Sequence, residues 1–85
     1  MPWTLIYSPG ALHQLKSLHK ADHVRIIRKL ETLTGDPYPH IRRLRDRPLY
    51  SVRVGEFRII LALLQDKVII CVVKVGHRKN VFQDI

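Results

Sequence analysis

Two apolar runs of strand length, Phe57 to Leu64 and Val68 to Val75, stand only Gln65-Asp66-Lys67 apart, and they constrain this chain more than any other feature. A gap that short predicts a β-hairpin. Along the first run, Phe57, Ile59, Leu61 and Leu63 point one way; Ile60, Ala62 and Leu64 point the other, together with Arg58. Antiparallel strands more often alternate apolar and polar residues, so two apolar faces require two covers. Helices can supply one. The other is either a protein partner laid across the sheet or the chain's own N-terminal strand and tail curling over it. The rarity of large exposed apolar patches favours the partner.

The remaining elements fit around this hairpin. Leu49 to Val54 alternates with period two and reads as a strand, and Gly55-Glu56 marks a tight turn into Phe57. Trp3 to Tyr7 reads as a first strand. Ser8-Pro9 supplies an N-cap and a proline at the first helical position. Ala11, Leu12, Leu15 and Leu18 follow as one apolar stripe. Lys20-Ala21-Asp22 interrupts the helix, with Asp22 expected to cap a second one striped by Val24, Ile27, Leu30 and Leu33 or Thr34. Gly35-Asp36-Pro37 is expected to end that helix through a C-cap glycine. Tyr38 to Pro48 reads as a loop, and Gly76 as the break after the last strand. The expected fold is a single α+β domain over residues 1–85. Its order is β-α-α-β-β-β, with a helical hairpin packed on a mainly antiparallel twisted sheet. Eighty-five residues leave no room for a second core.

Charge narrows the function. Fifteen Lys and Arg against seven Asp and Glu give a formal net charge of +8. That excess fits a nucleic acid, an anionic membrane surface or an acidic protein as partner, or a basic protein with no polyanion target. Neither apolar run approaches the roughly 20 residues that span a bilayer. The N-terminus shows no secretory leader pattern, so the expectation is a cytoplasmic protein without a membrane role. Cys71 is the only cysteine and reads as a strand thiol. His13, His19 and His23 straddle the helix break without the converging ligands a metal needs. With no glycine-rich phosphate loop either, no metal and no cofactor is expected.

Candidate chemistry lies in the C-terminal half. Ser51 and Arg53 share a strand face, Arg58 opens the next strand, and the last strand delivers His77 and Arg78; register decides whether they converge. Such a set suits metal-free RNA cleavage, in which the 2′-hydroxyl is the nucleophile. Arginines would stabilise charge at phosphorus, and a histidine would move protons. The alternative is a basic face that only holds a polyanion or an acidic protein partner, and spacing alone leaves both open.

The stretch Leu49-Tyr50-Ser51-Val52-Arg53-Val54-Gly55-Glu56-Phe57-Arg58-Ile59-Ile60, followed by Val72-Val73-Lys74-Val75-Gly76-His77-Arg78-Lys79-Asn80-Val81-Phe82, resembles the C-terminal half of RelE-type toxins. The opening strand, the helical hairpin and Leu44-Arg45 extend the resemblance to nearly the whole chain, within the RelE/ParE superfamily. It implies a toxin of a type II toxin–antitoxin system, wrapped by a RelB-like antitoxin, with operator DNA bound only through the antitoxin complex. RelE-like members enter the ribosome and cleave mRNA, inhibiting translation; ParE-like members poison DNA gyrase without catalysis; a chain that has lost its activity could persist as an antitoxin-binding repressor subunit. On the RelE-like reading the catalytic residues are Arg53, Arg58, His77 and Arg78. RNA-binding residues are Arg42, Arg43, Arg45, Arg47, Ser51, Lys74, Lys79 and Phe82. Two positions depart from the family pattern. Ser51 stands where some active members carry lysine, and Phe82 where many carry a tyrosine.

Overall fold

In the computed structural model, which describes residues 2–78 and 80–83, local signals set most of the elements. They are β1 (Thr4–Tyr7), α1 (Pro9–Lys16), α2 (Lys20–Thr32), β2 (Arg42–Arg43), β3 (Tyr50–Val54), β4 (Phe57–Leu64) and β5 (Ile69–His77). Ser8 caps α1 as its sequence predicts: its Oγ accepts from the Ala11 N–H at 3.1 Å, and Pro9 opens the helix. The same hydroxyl donates to the Val73 carbonyl at 3.0 Å, tying the helix start to β5.

Three local expectations fail. Asp22 does not cap α2; the helix starts one turn earlier, after His19, and Asp22 sits in its first turn paired with Arg25 at 3.4 Å. The helix ends at Thr32, where the Leu33 and Thr34 N–H groups bond to the Leu30 and Glu31 carbonyls, so Gly35 is not needed as a left-handed cap. Gly76 does not break the last strand. It pairs with Arg58, and β5 runs on to His77. The expected loop 38–48 also contains β2, which pairs with β3 to give a fifth strand.

Strand order is β1-β5-β4-β3-β2, with β1 parallel to β5 and every other pair antiparallel. Ala11 and Leu15 of α1, with Ile26, Leu30 and Leu33 of the α2 region, pack on Val52, Val54, Phe57, Ile59, Leu61, Ile70, Val72 and Val75. Each large side chain buried this way contributes about 1.5–3 kcal/mol, which holds the helices to one face. The predicted stripes are rotated slightly. Leu12 and Val24 stay exposed, while Ile26 takes a core position.

A bulge fixes which side chains reach the other face. Ile60 pairs with Lys74 but its neighbour Leu61 pairs with Val72, leaving Val73 without a partner on β4. That extra residue reverses the in–out phase of β5. Val75 consequently enters the core, while Lys74 and Gly76 face the opposite side with Arg58. On that side Ile60 is fully buried, and the chain itself does much of the covering. The described tail residues, 78 and 80–83, fold back against β5 and bury Val81. The expected partner therefore is not what covers Ile60. Leu64 and Ile6 remain exposed.

Candidate functional site

Directly opposed residues of a β-ladder project to the same face, so the register assembles a basic surface from residues distant in sequence. Arg42 lies opposite Ser51, Ser51 opposite Ile60, Arg53 opposite Arg58, and Arg58 opposite Gly76. The backbone turn after β5 then brings the tail across. The Asn80 and Val81 N–H groups both bond to the His77 carbonyl at 2.9 Å, and the Arg78 N–H bonds to the Glu56 carbonyl at 3.0 Å. A Cβ at Gly76 would stand 3.5 Å from the Val81 Cβ, so the tail lies in direct contact with the strand it crosses. Lys74 Nζ donates to the Gln83 carbonyl and fastens the far end. Phe82, next to the buried Val81, is left with its ring at the surface.

This arrangement encloses a cavity of about 530 Å³ whose wall includes His40, Arg42, Ser51, Arg53, Arg58 and Phe82. A neighbouring cavity of about 620 Å³ at the hairpin end shares Arg53 and adds Glu56, His77, Arg78 and Asn80. Arg53 stands between the two. Its Nε donates to the Gly55 carbonyl at 3.5 Å, and Arg58 reaches the Phe57 carbonyl at 3.4 Å; both guanidiniums keep further N–H groups for a ligand.

Electrostatics mark Arg58 as the centre. Burial, and then the like charges of Arg53, Arg78 and Arg42, hold its guanidinium below the ordinary arginine value. Arginine does not deprotonate near neutrality, so the outcome is a concentrated positive charge and not a neutral base. Among the described residues, none of these four arginines has a carboxylate partner; the ion pair present is Arg25 with Asp22. Four guanidiniums near one another, none within ion-pair distance of a carboxylate among the described residues, have the charge and donors to hold a phosphate or another anion.

The expected residues do not all join this cluster. His77 is separated from Arg58: the bulge sends it to the helix side, opposite Phe57, with the two rings tilted at 4.8 Å between centroids. It reaches Arg53 and Arg78 only along the rim of the hairpin-end cavity. Arg43 lies opposite Tyr50 and so faces away from Arg42, while Arg45 and Arg47 sit exposed in the turn between β2 and β3. Lys74 is on the correct face but engaged with the tail. Lys79 lies outside the described residues. The residue that sequence reasoning missed is His40, which lines the arginine cavity from a short 3₁₀ turn, Tyr38–His40. Its only sequence signal is its position two residues before Arg42.

The family model for the ParE toxin of the type II toxin–antitoxin system parDE matches residues 5–82. No curated protein matches the sequence. Among solved structures, the fold is similar to that in the RelBE2 toxin–antitoxin complex of Mycobacterium tuberculosis. The TM-score there is 0.85 at 20% identity, covering 92% of this chain and 100% of the other. It is also similar to the archaeal RelE–RelB complex of Pyrococcus horikoshii, with a TM-score of 0.81 at 23% identity, covering 95% and 100% of the two chains. For the intact RelBE complex of E. coli the TM-score is 0.77 at 21% identity, with 88% and 95% covered. At these identities the structures speak for the fold alone, and the match along nearly all of the sequence speaks for descent. The chain belongs to the family of ParE toxins of type II toxin–antitoxin systems.

Proposed function

We propose that this toxin is a ribosome-dependent mRNA endoribonuclease that inhibits translation. The observation that carries the reading is the cluster of Arg42, Arg53, Arg58 and Arg78, unpaired by carboxylates among the described residues, beside Ser51 and the exposed ring of Phe82. A scissile phosphate carries the charge such a cluster matches, and its rising charge in the transition state is what guanidiniums stabilise. Phe82 offers a base a stacking partner, a contact of about 1–3 kcal/mol per base. No helix among the described residues is long and apolar enough to cross a membrane. A cytoplasmic toxin held by a RelB-like antitoxin, and reaching operator DNA only through that complex, fits the chain's positive charge. The similar solved structures described above are toxin–antitoxin complexes.

Cleavage mapping on a defined mRNA in a reconstituted translation system, with and without ribosomes, tests the reading. Cuts within codons that appear only when ribosomes are present are expected, and Phe82→Tyr, which restores a phenolic hydroxyl, is expected to cut faster. Arg58→Ala and Arg78→Ala should each remove most growth inhibition while leaving the fold intact. A second reading has one observation in its favour: the matching family model is that of ParE toxins. On it the same face would hold gyrase without catalysis, and inhibited supercoiling with intact mRNA would identify it.

A further inference from the structure

The arginine cavity needs a group that can take up a proton, and the one expected to do so, His77, lies on the other side of the sheet. Arginines remain charged, and neither Ser51 nor Phe82 is a base near neutral pH. From the elements that surround the cavity, Arg42 comes from β2, Ser51 and Arg53 from β3, Arg58 from β4 and Phe82 from the tail; no carboxylate lines it. The remaining wall residue with suitable chemistry is His40, since histidine is the side chain that ordinarily exchanges protons between pH 5 and 8. Its backbone is anchored: the His40 N–H bonds to the carbonyl of the buried Pro37 at 3.0 Å, and the following residues lead directly into the β2 pairing with Ser51. The ring is exposed to the cavity and to solvent.

We propose that His40 is the general base of this site, an inference that rests on the endoribonuclease reading. In the step it serves, neutral His40 takes the proton of the 2′-hydroxyl as O2′ bonds to the adjacent phosphorus. The P–O5′ bond breaks, and the departing 5′-oxygen takes a proton from water. The products are a 2′,3′-cyclic phosphate and a 5′-hydroxyl end, and imidazolium returns its proton to solvent. Arg58 and its neighbours hold the phosphoryl oxygens throughout, which leaves proton transfer as the work the imidazole adds.

Single-turnover cleavage on preassembled, stalled ribosomes, across pH 5.5 to 8.5, about the histidine range, tests this. His40→Ala and His40→Gln are each expected to slow cleavage about 100-fold, at the lower end of general-base contributions. Added imidazole should return at least about tenfold of that rate to His40→Ala, whose missing ring leaves open space at the surface. The wild-type dependence of the rate on pH should be lost in both variants. His40→Gln keeps a polar side chain of similar reach, so it carries the test if the alanine variant folds poorly. Cleavage by both variants at close to the wild-type rate overturns the proposal and leaves the endoribonuclease reading standing. So does a slow variant that imidazole does not rescue and that keeps the wild-type pH dependence. Intact RNA with the wild-type protein overturns both.

Discussion

On the endoribonuclease reading, Arg58 concentrates the conflict between stability and function in a single side chain. It is partly buried on β4, opposite Arg53, with Arg78 and Arg42 also near, and no carboxylate among the described residues is within ion-pair distance of them. Folding must bring these like charges together and strip water from one of them, both unfavourable. Sites organised for a charged ligand commonly carry such a cost. Arg58→Met keeps the length and apolar stem of the side chain while removing the charge. It is expected to raise the stability of the free protein by up to about 1 kcal/mol, the scale of screened charge interactions at surfaces. The gain should shrink as salt rises, and growth inhibition should be lost. Urea denaturation at low and high salt measures it; a fall in stability at low salt would mean that Arg58 acts mainly through packing. The sequence placed Arg53 and Arg58 on strands next to a turn, and a two-residue turn leaves them no choice but to oppose each other. It could not place His77, because strand alternation counts residues and the bulge at Val73 adds one. It gave no reason to single out His40, whose neighbourhood depends on where the loop 38–48 returns to the sheet.

At the scale of elements, the β3–β4 hairpin sets the site's geometry, and Gly55 sets the hairpin. Gly55 has φ +59, in the left-handed region that favours glycine, at the first of two residues linking the paired Val54 and Phe57. A Cβ there would also lie 2.6 Å from the Arg25 guanidinium. Gly55→Ala should therefore cost about 1–2 kcal/mol, the penalty for a left-handed L-residue. The Arg25 contact involves the movable end of a long side chain, so the double variant Gly55→Ala/Arg25→Ala should retain most of that cost. A double-mutant cycle by chemical denaturation separates the two contributions; a cost that vanished with Arg25 would place it in the contact instead of the backbone. This turn was legible because its chemistry is local, as was the Ser8-Pro9 helix start. The caps read at Asp22 and Gly35 were not, because α2 extends as far as its apolar face finds β-sheet to pack on. Ile26 and Leu30 are buried in the middle of that contact, and Leu33 closes it. Tertiary burial outweighs a cap by several-fold, so the helix ends follow the packing.

Over the whole molecule, the sheet separates two tasks. One face binds the helices and supplies the apolar core; the other gathers the cations, and the returning tail buries Val81 against Gly76 while bringing Phe82 beside them. The doubly apolar hairpin announced that a second cover was needed and left the tail as one candidate, but the tail is a polar, basic stretch whose only buried member among the described residues is Val81, too little pattern to prefer it over a partner. A net charge of +8 is spread over the chain, yet the fold gathers Arg42, Arg53, Arg58 and Arg78 close together. If these are the residues that meet single-stranded RNA, binding should depend on salt according to the number of phosphates they neutralise. Each phosphate on a single strand contributes about −0.7 to the slope of log K against log salt, so three or four contacts give a slope of about −2 to −3. Arg58→Ala should reduce the magnitude by about 0.7, whereas Arg45→Ala, in the exposed turn away from both cavities, should change it little. Fluorescence anisotropy on a short unstructured RNA, titrated at several salt concentrations, measures the slopes. Equal losses from the two variants would mean that RNA is held by net charge over the whole surface, and the built cluster would then need another anion to explain it.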